Sequence, residues 1–222
     1  MRQANNSEGF EARMNVLVTK ANGSHPLPIK VAVIGQFLEN KQRLLIRGIS
    51  PDAVRKVFFA TERNRDNKFT LLEYVNESMI DQAERDPFAK IFNTGMVPWD
   101  MFSPWWDWGR QELQGSKKIN GHDCTLIHSW TDEKSSVIRE VESCVDTRAK
   151  LSLWTSIFGG DHELLRTYEV IQWVHKGNGK EMMAKKLRIT DVDKTITELE
   201  VYAGDEEFYI SEKIFSMFDV IH

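Results

Sequence analysis

Long apolar runs are missing from this chain. They stop at about four residues, as in Val31–Ile34, whereas a helix needs about 20 to cross a bilayer, so no transmembrane segment is expected. Glycine and proline are scarce, at 13 and 6 of 222 residues, which excludes collagen-like and linker-dominated chains. Charge of one sign is missing too. Lys and Arg total 29 against 33 Asp and Glu, a net −4, and the signs alternate along the sequence. With no basic stripe, the chain does not read as a nucleic-acid binder. Lys185, Lys186 and Arg188 read instead as the wet face of a strand.

Catalytic signatures are also missing. There is no G-x-S-x-G, no phosphate-binding glycine loop and no H-E-x-x-H. His25, His122, His128, His162, His175 and His222 are scattered over separate turns and strands. His122-Asp123-Cys124 is the densest group, but strand neighbours point to opposite faces and make a poor metal cage. Asp205-Glu206-Glu207 reads as a solvated loop. The expectation is therefore a non-enzymatic protein with no metal and no cofactor. Residues Met1–Asn6 have no apolar signal core, so the protein is either cytoplasmic or supplied without a removed leader. Sequons stand at Asn5, Asn22 and Asn76.

What is present is a globular composition, 41% apolar and 28% charged. A chain of this length buries roughly 70% of the surface its unfolded form exposes. Nearly every segment alternates at period two, the signature of half-buried strands. In 10–18, Phe10, Ala12, Met14, Val16 and Val18 share a face, and in 28–38 Ile29, Val31, Val33 and Phe37 do. Gly35 marks a candidate bulge or bend. Strands follow at 42–49, 55–61 and 68–75, with a turn at 62–67. Others are expected at about 109–115, 118–130, 137–146, 148–157, 164–175, 181–191 and 195–203, with turns at Asn120-Gly121 and Gly177-Asn178-Gly179 among others. Roughly eleven or twelve strands imply one large antiparallel sheet, a barrel or a sandwich. No linker divides the chain, so residues 1–222 read as one domain.

Two stretches break the strand pattern. Residues 76–108 form a long connection rich in tryptophan. Val97–Phe102 reads as a short helix with proline in its first turn, and Ser103 and Pro104 restart it as N-cap and N1. Trp99, Met101, Phe102, Trp105 and Trp106 form an apolar group that serves as a core plug, as the lid of a ligand cavity or as a membrane-interface contact. In the tail, 211–218 reads as a few helical turns held by Phe215 and Phe218.

Two cysteines remain, on neighbouring expected strands joined by a turn near Lys134. A register summing to 268 sets Cys124 opposite Cys144, close enough for a cross-strand disulfide. The alternative is two half-buried thiols, and a one-residue slip breaks the pairing. A bridge would imply an oxidising compartment.

Several segments resemble a known family. RLLIRGISPDAVRKVFFATE (43–62), NTGMVPWDMF (93–102), KINGHDCTLIHSW (118–130), ELLRTYEVIQW (163–173) and KKLRITDVDKTITELEV (185–201) are similar, in order and spacing, to blocks of the outer-membrane lipoprotein-sorting protein family. The resemblance covers about 40–222. It implies a mainly β, LolA-like fold: a single curved antiparallel sheet forming an incomplete, half-open β-barrel, with short helices covering the open concave side. It implies an exported periplasmic carrier that binds acyl chains of lipoproteins or lipids, exchanges them with membrane-bound donor or acceptor proteins, and catalyses nothing. The residues expected to line the apolar cavity and its lid are Met14, Val16, Val31, Val33, Phe58, Trp99, Met101, Phe102, Trp105 and Trp106. The chain departs from the family in lacking room for an amphipathic helix before its first strand and in its Trp-rich insert. These departures leave an alternative, a sensor or interaction module whose cavity is filled.

Overall fold

A computed structural model of the chain describes residues 8–65, 67–84, 86–133, 136–176, 181–210 and 212–218. The expected turns at Lys134 and 177–179, together with Ser211, lie outside these residues. The strands are β1 (Glu8–Thr19), β2 (Ile29–Phe37), β3 (Lys41–Ser50), β4 (Val57–Asn64), β5 (Phe69–Val75), β6 (Ser78–Glu84), β7 (Arg110–Ile119), β8 (His122–Trp130), β9 (Glu140–Asp146), β10 (Leu151–Phe158), β11 (Leu164–Lys176), β12 (Glu181–Asp191) and β13 (Ile196–Tyr209). Helices α1 (Asp52–Arg55) and α2 (Pro98–Phe102) are short. The strands form one antiparallel sheet in the order β6-β5-β4-β3-β2-β1-β13-β12-β11-β10-β9-β8-β7, whose ends β6 and β7 do not join, so it is not a closed barrel.

Several boundaries differ from the sequence reading. Strand β4 runs through the expected turn to Asn64, because its charges find partners. Arg43 Nε donates to Glu62 at 2.5 Å, and Arg63 donates to Gln42 at 3.1 Å and to Asn67. Strand β6 lies inside the expected long connection, reached by a tight turn at Asn76-Glu77, both at positive φ (51° and 66°). The expected turn at Asn120-Gly121 is present and divides 118–130 between β7 and β8. Asp205–Glu207 belongs to strand β13, not to a loop.

The chain forms two compact units. The β1–β6 unit contains Pro26–Phe102 with the first part of β1 and the chain from Val201 onward. Its register sorts the side chains cleanly. Met14 opposes Val31, Val33 opposes Ile46 and Ile46 opposes Phe59, so these share one face. Leu45, Ala60 and Leu72 share the other, where they form a core with Ile210 and Phe215. Phe215 sits in the 3₁₀ turn Glu212–Phe218, which matches the expected helical tail. Gly35 is not a bulge: the β2–β3 register continues through it, and on β1 it stands opposite Phe10. A Cβ there would lie 2.2 Å from the Phe10 ring, so the glycine makes room for that ring.

The β7–β12 unit contains Ser103–Glu200 with Val18–His25, the end of β1 and the loop after it. Cys124 and Cys144 are joined by a disulfide, with Cα atoms 5.3 Å apart, and pack on Leu153. The register differs from the expected one by two residues, since Leu126 and not Cys124 opposes Cys144. A slip of two keeps every side chain on its face, so the two sulfurs still meet diagonally. Buried hydroxyls are frequent in this unit: Ser143 and Thr155 lie 3.3 Å apart, and Ser152 lies 3.0 Å from Thr155. Arg166 pairs with Asp191 across β11 and β12. Lys185–Arg188 lie on β12, where Lys186 and Arg188 each approach the Glu198 carboxylate at 2.7 Å. The Lys186 hydrogen bond pulls that carboxyl below its ordinary value; burial opposes the shift and Arg188 adds to it.

Candidate functional site

In the β1–β6 unit the aromatic segment 86–102 is knitted together by its own hydrogen bonds. The Ile91 N–H donates to Met96 O at 2.9 Å, and the Thr94 hydroxyl donates to Ile91 O at 2.7 Å while accepting from the Met96 N–H at 3.1 Å. The Trp99 N–H donates to Pro87 O at 2.9 Å, which ties α2 back to the start of the segment. Pro98 opens α2, where its missing N–H costs nothing. Part of the segment's backbone is thus satisfied within the segment itself.

Its side chains point at the sheet. Phe92 lies edge-on to Phe59, centroids 4.9 Å apart, and Phe102 lies 6.0 Å from Phe69. Trp99 packs on Phe88 at 5.9 Å. Phe92 and Asn93 both occupy the left-handed region (φ 52° and 54°), which is costly for phenylalanine; the Phe59 contact holds it there. Ile91, Met96, Val97, Trp99 and Phe102 are all buried, and Val31 and Ile46, on the same sheet face as Phe59, are 0% exposed.

The expected site residues divide accordingly. Met14, Val16, Val31 and Val33 share the Ile46–Phe59 face of the sheet; Met14 is half-buried and the three valines are buried. Trp99 and Phe102 are buried in α2, and Met101 is half-buried there. Phe58 is on the opposite face: it pairs in register with Arg47 and stacks on Tyr74, centroids 4.4 Å apart and planes 6° from parallel. Its neighbour Phe59 holds the position expected for Phe58. The helix α1 inserts before β4, and no alternation pattern on β3 carries its phase across that helix.

Trp105 and Trp106 fall in the β7–β12 unit, within the 3₁₀ turn Pro104–Asp107. Ser103 does not act as the expected N-cap. It sits at φ 47°, ψ 55° and makes no capping bond, so the two helical stretches are separate turns. The turn packs near β7: Gln111 Nε2 donates to Trp105 O at 3.0 Å. Trp105 is buried, Trp106 is half-buried, and their rings lie 6.1 Å apart. Sequence reasoning passed over Ile91, Phe59 and Phe69. The last two carried a signal, since each lies in a strand of bulky residues, but only the register shows which face they take.

No family model matches the chain, and no curated protein matches it. Solved structures do. One, described as an outer membrane lipoprotein-sorting protein domain from Vibrio parahaemolyticus, aligns over 98% of this chain and 93% of its own, with TM-score 0.80 and 14% identity. A DUF1329 family protein from Desulfovibrio piger aligns over 96% and 91%, with TM-score 0.81 and 14% identity. A LolA superfamily protein from Nitrosomonas europaea aligns over 94% and 90%, with TM-score 0.68 and 13% identity. Identities this low speak to the backbone alone, and the chain accordingly has the LolA-like fold, an open antiparallel sheet with short helices.

Proposed function

We propose that this protein is an exported, non-catalytic binder of acylated hydrophobic ligands, a lipoprotein or lipid carrier of the periplasm. The observation that carries the reading is the cover of the Val31–Ile46 face. It is a short aromatic segment held in part by hydrogen bonds within itself, not a second sheet. Such a cover can leave as one piece, and an acyl chain can take over its contacts with the sheet. Each buried methylene contributes about 0.8 kcal/mol, so ten give roughly 8 kcal/mol before ordering and association costs. The fold likeness to a lipoprotein-sorting domain supports the reading, and the disulfide suits an oxidising compartment.

The test is titration with a fluorescent acyl probe, read by energy transfer from tryptophan, with palmitate or a lipopeptide as competitor. Saturable, displaceable binding is expected. Replacing Trp99 and Phe102 by alanine is expected to change the probe affinity by about tenfold or more, a shift of 1.4 kcal/mol. A folded protein that takes up no probe overturns the carrier.

One observation favours a second reading, an interaction or sensor module with a filled cavity. The face beneath the aromatic segment is packed to near-zero exposure at Val16, Val31 and Ile46. That reading gains if the probe is refused.

A further inference from the structure

We propose that the corner between β3 and β4 holds a phosphate-binding cleft in which Arg47 and Lys56 grip the singly charged phosphate of an amphipathic ester. The proposal goes beyond acyl binding and does not rest on it. The cleft has Phe58 in its lining, and Phe58 belongs to the sheet face turned away from the aromatic segment.

The corner is built for a close approach. Helix α1 lies directly against β3 at Gly48, where a Cβ would fall 2.0 Å from Val54 O, so only glycine fits. The Asn76 N–H donates to Lys56 O at 2.9 Å and brings the β5–β6 turn alongside. Between them opens a cleft of about 530 Å³, lined by Arg47, Arg55, Lys56, Val57, Phe58 and Glu77 among others.

The charges in it are not balanced. Arg55 is engaged, 3.3 Å from Asp52 and donating to Ile49 O at 3.3 Å. Arg47 and Lys56 have no carboxylate partner among the described residues. Two cations against Glu77 leave one positive charge, the complement of a phosphodiester. Arg47 is also pre-positioned: its guanidinium carbon lies 5.8 Å from the Phe58 centroid, and Phe58 is stacked on Tyr74. A guanidinium fork beside a lysine point charge is the usual phosphate grip. Val57 and Phe58 add apolar wall next to those charges, which favours a phosphate carrying a glycerol or alkyl group over the bare ion.

The experiment is an amide NMR titration of the full chain with inorganic phosphate, with dihexanoyl phosphatidylglycerol, and with dihexanoyl phosphatidylcholine as the zwitterionic control. Saturable shifts at 47–58 and 76–77 are expected with phosphatidylglycerol, about fivefold tighter than with inorganic phosphate and weaker still with phosphatidylcholine. Arg47→Gln with Lys56→Gln, both exposed in the wild type, should weaken binding by about tenfold or more, and Glu77→Gln should tighten it by about threefold. Equal affinity for inorganic phosphate overturns the ester assignment. Absence of saturable shifts at these residues, or unchanged affinity in the double variant, overturns the site. None of these probes carries a chain long enough to replace the aromatic segment, so this test and the acyl-probe test fail independently.

Discussion

In the β1–β6 unit both faces of the strands are covered by chain that is not strand: the aromatic segment 86–102 on one, the turn Glu212–Phe218 on the other. The β7–β12 unit is held differently. One turn, Pro104–Asp107 with buried Trp105, packs near β7, but the unit's cross-links run strand to strand, through the Cys124–Cys144 bridge, the Ser143–Thr155 hydroxyls and the Arg166–Asp191 pair. Both units are written in the same alternating pattern, yet one depends on covering segments and the other on cross-links. A cover can move; a covalent staple cannot. The carrier proposal therefore predicts ligand entry in the β1–β6 unit.

The largest test of that contrast is Phe215→Ala. The ring is 2% exposed and fills the core with Leu45, Ala60 and Leu72. Its loss should cost about 3–5 kcal/mol in urea unfolding. A cost under about 1 kcal/mol would mean that the tail is an ornament and that the strands close their own core. Next is Cys124→Ser with Cys144→Ser. A bridge across 20 residues should be worth about 3 kcal/mol, seen as a lower unfolding midpoint. Dithiothreitol should reproduce the loss in the wild type and leave the variant unmoved; equal midpoints would erase the difference between the units.

The smallest effect concerns Glu198. Its carboxyl is held below the ordinary value, so it stabilises the folded state above the unfolded carboxyl's titration, and that contribution is lost as pH falls through its own lowered value. Glu198→Gln should therefore be less stable than the wild type at neutral pH and converge with it in acid. A gap that widens toward acid would reverse the assigned role of Lys186 and Arg188.

Much of the fold was legible because alternation is local. A period-two run reports that one face is buried whatever lies beyond it, so strands β1, β2, β5, β11 and β12 were found within two residues of their ends. The misreadings share a cause. Glu62 and Arg63 looked like a turn because their hydrogen-bond partners, Arg43 and Gln42, sit about twenty positions away in the chain. The turn Asn76-Glu77 was missed because a left-handed glutamate carries no turn signal. Among the residues proposed to line the cavity, Val16, Val31 and Val33 share one face, as alternation along single strands predicts. Phe58 was misplaced because α1 resets the phase before β4.

Composition and periodicity decided that this chain is a mainly β protein without a long apolar helix, and that it has an aromatic segment too apolar to leave in water. Those properties depend on neighbours along the chain, which the sequence states directly. Only the tertiary structure decided which face each strand presents, that Cys124 meets Cys144 through a register two residues from the expected one, and that Arg47 and Lys56 open on one cleft. Those depend on register and on contacts between residues far apart in the chain, where a shift of one position exchanges the two faces of a strand.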